Sequence, residues 1–497
     1  MATADTRESN MAADQYEAVI GMECHAELLT NSKLFCSCSA EFGGEPNTRC
    51  CPVCLGLPGA LPVANKRAVE FVIKAAMALN CTINTDTFFH RKNYFYPDLP
   101  KAYQISQYGD SPIGIYGYVE IQAEDGRTKK IGIRRVHLEE DTGKLIHATP
   151  TKSEVDYNRS SVPLMEIVTE HHPRPGFDQI HNAFEAREYL IQLRNILMYL
   201  GVCDGKMEEG SLRCEPNISV RIKGSETYGT KTELKNLNSF RAVYRGIEYE
   251  LNRQIEVLCG GGNITHETRR WDEENQCTVL MRGKEFEQEY RYFPEPDLLG
   301  FHFPEDYLEN LRKELPELPM SRRKRFVESF GLSDADAGTL TNEKALADWF
   351  EQALSVHDDP KAVSNWVLGD FLKLVNQSGV SIAEVKIRPE HLGELLQLLE
   401  EGTISGKIAK TVFEEAFQTG KSPGQIVADS GMTQISDESA ILDAVRKVIA
   451  ENERVANDVR GGKGKSIGFL VGQVMKITRG RANPQLVNEL LKKELLG

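Results

Sequence analysis

A chain of 497 residues exceeds what one hydrophobic core supports and points to about three domains of ~150 residues each. Its composition, 40% hydrophobic and 27% charged, is that of a globular protein, and no apolar run approaches the ~18 residues of a membrane span. A formal net charge of −14 argues against a surface that grips nucleic acid everywhere, although it leaves room for local basic patches.

Residues 1–15 are polar and partly acidic, unlike a secretory or transit leader, and are expected to be a disordered lead-in to a cytoplasmic protein. The first element is Tyr16–Leu28, YEAVIGMECHAEL, which reads as a strand. Alternation puts Glu23, His25 and Glu27 on one face and Ile20, Met22, Cys24 and Ala26 on the other. The second set can pack into a core. Two carboxylates beside an imidazole repel each other unless water, protons or a cation compensates. That face is either a divalent-metal site or a solvated surface, and the strand alone does not choose.

Six of the eleven cysteines fall within the first 54 residues, which favours metal ligation over disulfides. Cys36 and Cys38 form C-x-C; Cys51 and Cys54 form C-x-x-C, leaving Cys50 spare. Two close pairs about a dozen residues apart fit a four-sulfur zinc knuckle with a closed, structural coordination sphere. A set of reduced, unmetallated thiols is the other reading.

A helix is expected over 65–79, with Val69, Val72, Ile73 and Ala76 inward. The stretch HRKNYFYPDLPKAYQISQYG follows, a loop shaped by Pro97 and Pro100 in which Arg91, Lys92 and Lys101 interleave with tyrosines and Phe95. Such a mixture suits a nucleotide or a single-stranded end, and suits an aromatic loop facing a core equally well. Residues 116–146 read as a β-hairpin turning at Glu124-Asp125-Gly126, with His137, Glu139, Glu140 and Asp141 closing the second strand. Glu166 sits inside an apolar run, either near an edge or held for a purpose.

Helices are expected over about 178–200 and 239–258, around a turn holding Glu208, Glu209 and Arg213 and a strand over 217–222. Gly260-Gly261-Gly262 ends the second helix and lacks phosphate-loop spacing. From Pro304 the pattern is helical, clearest over 306–314, 342–355 and 363–376, with Trp349, Phe350, Trp366 and Phe371 as core candidates. Another helical module starts near Ser405. Between Arg460 and Lys493 it carries eight Lys or Arg against one acidic residue, including Lys463, Lys465, Arg479 and Arg481. Such segregation suits RNA phosphate, with a solvated helix face as the alternative.

The strings VIGMECHAEL, RKNYFYPDLPKAYQISQY, VHLEEDTGK, KMEEGSLRCEPNISVR, GTKTELKNLNSF, ETRRWDE and YRYFPEPDL, closed by GFLVGQVMK and ANP, carry a resemblance. In content and order the chain resembles the B-subunit family of the aspartyl/glutamyl-tRNA(Asn/Gln) amidotransferases, from about Tyr16 to the C-terminus. The resemblance implies an α+β fold. Residues 16–300 would form a catalytic cradle with an antiparallel sheet, similar to the glutamine-synthetase and guanido-kinase core, with the zinc knuckle at 36–54. An all-α helical domain over 301–404 and a mainly α-helical, tRNA-binding tail over 405–497 would follow.

It also implies a reaction. A carbon–nitrogen ligase uses ATP to phosphorylate the side-chain carboxylate of Glu-tRNA(Gln) and/or Asp-tRNA(Asn), and ammonia then displaces the phosphate. The ammonia comes from glutamine at the glutaminase (A) subunit, and a small C subunit completes a heterotrimer. Mg²⁺ neutralises such phosphoryl chemistry and prefers oxygen donors. By resemblance Glu23, His25, Glu140 and Glu166 hold Mg²⁺ and form the catalytic site, with Glu139 and Glu208 as second choices. Strict alternation sets His137 and Glu139 on one face and Glu140 on the other, so a bulge is needed if both glutamates contribute. Lys92 and Arg213 are the candidate ATP phosphate contacts, and Cys36, Cys38, Cys51 and Cys54 the structural Zn²⁺ ligands.

No Gly/Ser-rich amidase signature and no Cys-His glutaminase motif stands out, so the ammonia source must be another chain. Cys24 replaces a branched apolar residue expected between Glu23 and His25. A noncatalytic tRNA-binding scaffold and a self-contained zinc hydrolase are the competing functions.

Overall fold

The computed structural model describes residues 15–107, 111–149, 152–283, 290–431, 438–461, 466–478 and 482–496. Residues 1–14 of the lead-in expected over 1–15, and the cations Lys463, Lys465, Arg479 and Arg481, lie outside the described residues. The chain divides into two compact units, Met1–Pro319 and Met320–Gly497.

The first unit holds sixteen strands among its described residues. In chain order they begin with β1 (Tyr16–Glu27), β2 (Thr82–Ile83), β3 (Asp86–Thr87), β4 (His90–Asn93) and β5 (Tyr103–Ser106). There follow β6 (Gly114–Gln122), β7 (Thr128–Glu140), β8 (Lys144–Thr149), β9 (Lys152–Asp156) and β10 (Pro163–Thr169). The last are β11 (Leu212–Ile222), β12 (Thr232–Lys235), β13 (Glu267–Asp272), β14 (Cys277–Gly283), β15 (Arg291–Pro294) and β16 (Phe301–His302). Nine form one sheet in the order β14-β13-β12-β11-β1-β10-β7-β6-β2. Every neighbouring pair is antiparallel except β12 and β13, which run parallel, so the expected antiparallel sheet is in fact mixed.

β1 lies at the centre of the sheet, and its period-two pattern decides what each face does. Ile20, Met22, Cys24 and Ala26 are buried in the main core, while Gly21, Glu23, His25 and Glu27 stay half-open on the other face. The apolar side is packed by three helices, α1 (Lys66–Ala78), α2 (Ala183–Tyr199) and α3 (Phe240–Cys259). Helix α1 lies so close to β6 that a Cβ on Gly117 would sit 2.3 Å from the carbonyl oxygen of Leu79.

The expected first long helix starts five residues late. Asn182 caps it, its side chain accepting from Glu185 N, while Asp178 and Ile180 bridge to Ile131 and Ile20 instead. β11 begins at Leu212, which places Arg213 in a strand rather than in a turn. The aromatic stretch after α1 is also less loop-like than its prolines imply. β4 and β5 from it pair with each other, and β15 completes a three-stranded sheet with Lys92 opposite Gln104 and Tyr292.

Every described secondary-structure element of the second unit is helical, and two separate cores organise them. One runs from Phe326 to Val427, the other from Ile441 to Leu495. The helix expected over 363–376 is broken into Pro360–Trp366, a π-turn at Val367–Phe371 and Leu372–Ser378. That turn stacks Phe371 on Trp349 with ring centroids 4.2 Å apart, and Trp366 packs half-buried against Phe413. The expected division at 404/405 falls inside the first core, because Ile404, Ile408, Val412 and Phe413 pack with Phe350 and Leu395. Among the described residues no helix is long and apolar enough to cross a membrane.

Candidate active site

The open face of the sheet gathers acidic and imidazole groups from three adjacent strands. Antiparallel register sets Arg213 of β11, His25 of β1, Glu166 of β10 and His137 of β7 in one row. Directly opposite residues have Cβ atoms about 4.5–5.5 Å apart, so such a row forces contact between side chains. His137 Nε2 lies 3.0 Å from Glu166 and 3.3 Å from Glu139. His25 Nε2 lies 3.6 Å from Glu139 and 3.9 Å from Glu23. Arg135 closes the row by donating to Glu166 at 3.1 Å. Two triads result, Glu23/His25/Glu166 and His137/Glu139/Glu166, each with ligand atoms within 4.8 Å of one another and Glu166 in common.

Burial and mutual repulsion set the charges here. Burial raises the Glu23 carboxyl, and the Glu166 carboxylate adds to the rise. Burial works against the charge of Glu166 too, but His137 and His25 hold it well below the usual carboxylate range. His137 is buried, which disfavours its cation, yet Glu166 and Glu139 push it up to about 9. A proton on His137 therefore separates two carboxylates, a role that a divalent ion would take over. Lys92 loses hydration on burial, and Glu139 and Glu166 nevertheless raise its pKa.

Two cavities open on this face and share Glu23, Lys92 and Glu139. The larger, of about 810 Å³, also reaches Asp141, Arg213 and Arg282; the smaller, of about 230 Å³, is closed by Arg135 and Tyr292. Glu27 sits beside Asp141 on the same face; burial, with the Asp141 charge adding, pushes it up to about 8.

The structure separates the expected site residues. Glu23, His25, Glu139 and Glu166 come together, and Lys92 and Arg213 line the larger cavity beside them. Glu140 does not join them. Its carboxylate faces away, 2.5 Å from Lys101 Nζ and accepting from the backbone N–H of Ile105. The β7–β10 register is continuous from Glu140 to Arg135, so no bulge turns Glu140 onto the site face. Glu208 lies exposed in the turn before β11, outside both triads. His137 and Arg135 are the contributors that site reasoning from sequence missed. The alternation of His137 with Glu139 was the available signal.

At the knuckle the four sulfurs of Cys36, Cys38, Cys51 and Cys54 lie within 4.8 Å of one another, with Cys50 left out. The C-x-x-C turn points the Cys51 N–H at Cys54 Sγ, 3.1 Å away. A hydrogen bond from Cys36 is the main cause holding Cys54 down to about 4, which prepares one thiolate for a cation.

An open sheet face with overlapping carboxylate–imidazole triads, walled by Lys92, Arg213 and Arg282, brings together a donor set of the kind that holds a metal ion and cations of the kind that meet an anion. Sequence comparison gives the particular kind. Residues 18–309 match the family model described as the GatB/GatE catalytic domain, and residues 348–495 match the GatB domain. The chain belongs to the GatB/GatE family. It is 55% identical over 481 residues to the B subunit of the aspartyl/glutamyl-tRNA(Asn/Gln) amidotransferase of Thermoanaerobacter pseudethanolicus, covering 97% of this chain and 99% of that one. The same-named proteins of Carboxydothermus hydrogenoformans and Moorella thermoacetica are each 54% identical over 97% of this chain. They are covered over 99% and 100% of their lengths.

Proposed function

We propose that this chain is the activating and amidating B subunit of a tRNA-dependent amidotransferase, a carbon–nitrogen ligase that takes its amide nitrogen from glutamine. ATP would phosphorylate the side-chain carboxylate of Glu-tRNA(Gln) and/or Asp-tRNA(Asn), releasing ADP. Ammonia would then attack the acyl carbon and expel phosphate, giving Gln-tRNA(Gln) or Asn-tRNA(Asn). The observation that carries this reading is the convergence of Glu23, His25, His137, Glu139 and Glu166 beside Lys92 and Arg213. The division of labour with a glutaminase A subunit and a small C subunit, as a cytoplasmic heterotrimer, belongs to the same reading. So do a cradle similar to the glutamine-synthetase and guanido-kinase core and a tRNA-binding tail.

The donor set fits Mg²⁺: three carboxylates offer hard oxygen ligands, and the Glu23 carboxyl is raised first by burial and then by the Glu166 charge, both of which a cation offsets. Glu23, Glu139 and Glu166, with His25, would hold the ion, which when bound neutralises phosphate charge and polarises the transferred group. The chain's own cations do the rest. Lys92 and Arg213 draw phosphate oxygens onto the sheet face, and Arg135 fixes the Glu166 carboxylate from the side away from β1. The knuckle's four sulfurs fit Zn²⁺ and leave it no open position, so its role is structural.

Glu166→Gln in the assembled complex tests this. Glu-tRNA(Gln)-dependent ATP cleavage and amide formation should both fall by about a hundredfold or more, while glutamine hydrolysis at the partner persists. ATP cleavage near the wild-type rate would instead favour a noncatalytic tRNA scaffold.

A further inference from the structure

Lys33 has no part in the reaction above, yet it is one of the most completely buried large side chains of the chain, at 0% exposure. Its ammonium lies 3.8 Å from Cys54 Sγ and donates to the carbonyl of Tyr157 at 3.1 Å. Its backbone N–H donates to the carbonyl of Cys38. One residue thus touches both halves of the knuckle. A lysine is buried this deeply only when its charge has a partner. Four thiolates around a dication carry a net charge of −2, and Cys54, the sulfur that Lys33 contacts, is the buried member of the four. The ammonium therefore offsets charge that burial would otherwise penalise.

The second contact of Lys33 leads elsewhere. Tyr157 follows β9, and the knuckle loop grips the same place. The Tyr157 N–H donates to Asn47 at 2.8 Å, Asn158 Nδ2 to the Glu45 carbonyl at 2.7 Å, and the Arg49 N–H to Asn158 at 2.9 Å. The next residue, Arg159, donates to the carbonyls of Thr142 and Gly143, each at 3.1 Å, and lies 3.5 Å from Asp141. Asp141 in turn holds Arg213 at 2.7 Å, and Asp141, Thr142 and Arg213 all line the larger cavity.

We infer that Lys33 is the charge partner of the four-sulfur zinc centre and, through the Tyr157 carbonyl, a positioning residue that ties this centre, by way of Arg159, to Asp141 and Arg213 in the wall of the cavity. This rests on reading the four cysteines as a zinc site, and zinc content of the purified wild-type chain tests that reading separately. With zinc present, two variants of the full chain divide charge from packing. Lys33→Met keeps length without charge; Lys33→Arg keeps charge on a larger head. Competition with a chelator should show Lys33→Met binding zinc about tenfold or more weakly, as loss of a metal's outer partner does, with Lys33→Arg between it and wild type. Wild-type affinity in Lys33→Met, or weaker binding in Lys33→Arg than in Lys33→Met, overturns the inference. A second measurement needs no variant: stripping zinc from the wild-type chain should speed amide hydrogen exchange over 141–143 and 156–159 and leave β1 protected. Unchanged exchange in those segments overturns the tie even if neither variant folds.

Discussion

Glu139 and Glu140 are neighbours in the chain and serve different surroundings, because alternation along β7 continues unbroken to its end. Glu139→Gln should weaken divalent-ion binding, read by calorimetric titration of Mn²⁺ or Mg²⁺. Glu140→Gln should leave that titration unchanged. It strips the carboxylate from the buried Lys101 ammonium, and a broken buried pair costs about 3–5 kcal/mol, visible as a lower unfolding temperature. Glu27 supplies a pH test. Its carboxyl is raised from 4.5 to about 8, chiefly by burial and then by Asp141. The folded chain therefore keeps a proton that the unfolded chain releases. The stability this contributes is complete below pH 4.5 and is lost as pH rises through about 8. Glu27→Gln should flatten the decline in melting temperature between about pH 5 and about pH 8.5. An identical slope in the variant would contradict the raised carboxyl of Glu27.

Among elements, helix α1 shows how a local signal becomes an anchor. Asn65 accepts from Arg67 N at 2.9 Å as its N-cap, while its amide nitrogen donates to the Ser32 carbonyl at 3.1 Å. It joins the helix start to the entry of the knuckle. Asn65→Ala should cost about 1–2 kcal/mol of stability through the cap alone, and denaturant unfolding monitored at the first unit checks it. The helix was legible from its apolar spacing, and its ends fell within one residue of expectation because cap and stop chemistry are local. The start of α2 was not legible. Two of its first five expected residues, Asp178 and Ile180, are drawn into bridges with β7 and β1, strands that lie far away in the chain.

At the scale of the molecule, the helical second unit bears on how the tail can be removed. A chain ending at residue 404 would strip Ile408, Val412, Phe413 and Ala416 from the core that holds Phe350. With about 1.5–3 kcal/mol lost per large buried apolar side chain, that chain should be poorly folded and sensitive to protease. A chain ending at residue 431 keeps this core to Val427 and removes the one from Ile441 to Leu495. It should remain folded and lose affinity for mischarged tRNA in a filter-binding assay at physiological salt, with partner glutamine hydrolysis intact. By itself the sequence determined the strand and its two faces, the four cysteines whose sulfurs gather, most helices and the family, since each is written in spacing within a few residues or in long shared strings. Tertiary structure decided which acids meet. The row His25–Glu166–His137 draws on three strands spread over more than a hundred residues, and only pairing register brings them opposite one another. The same register turned Glu140 away from the site and admitted His137. A side chain's place in a sheet is fixed by its partner strands as well as by its own.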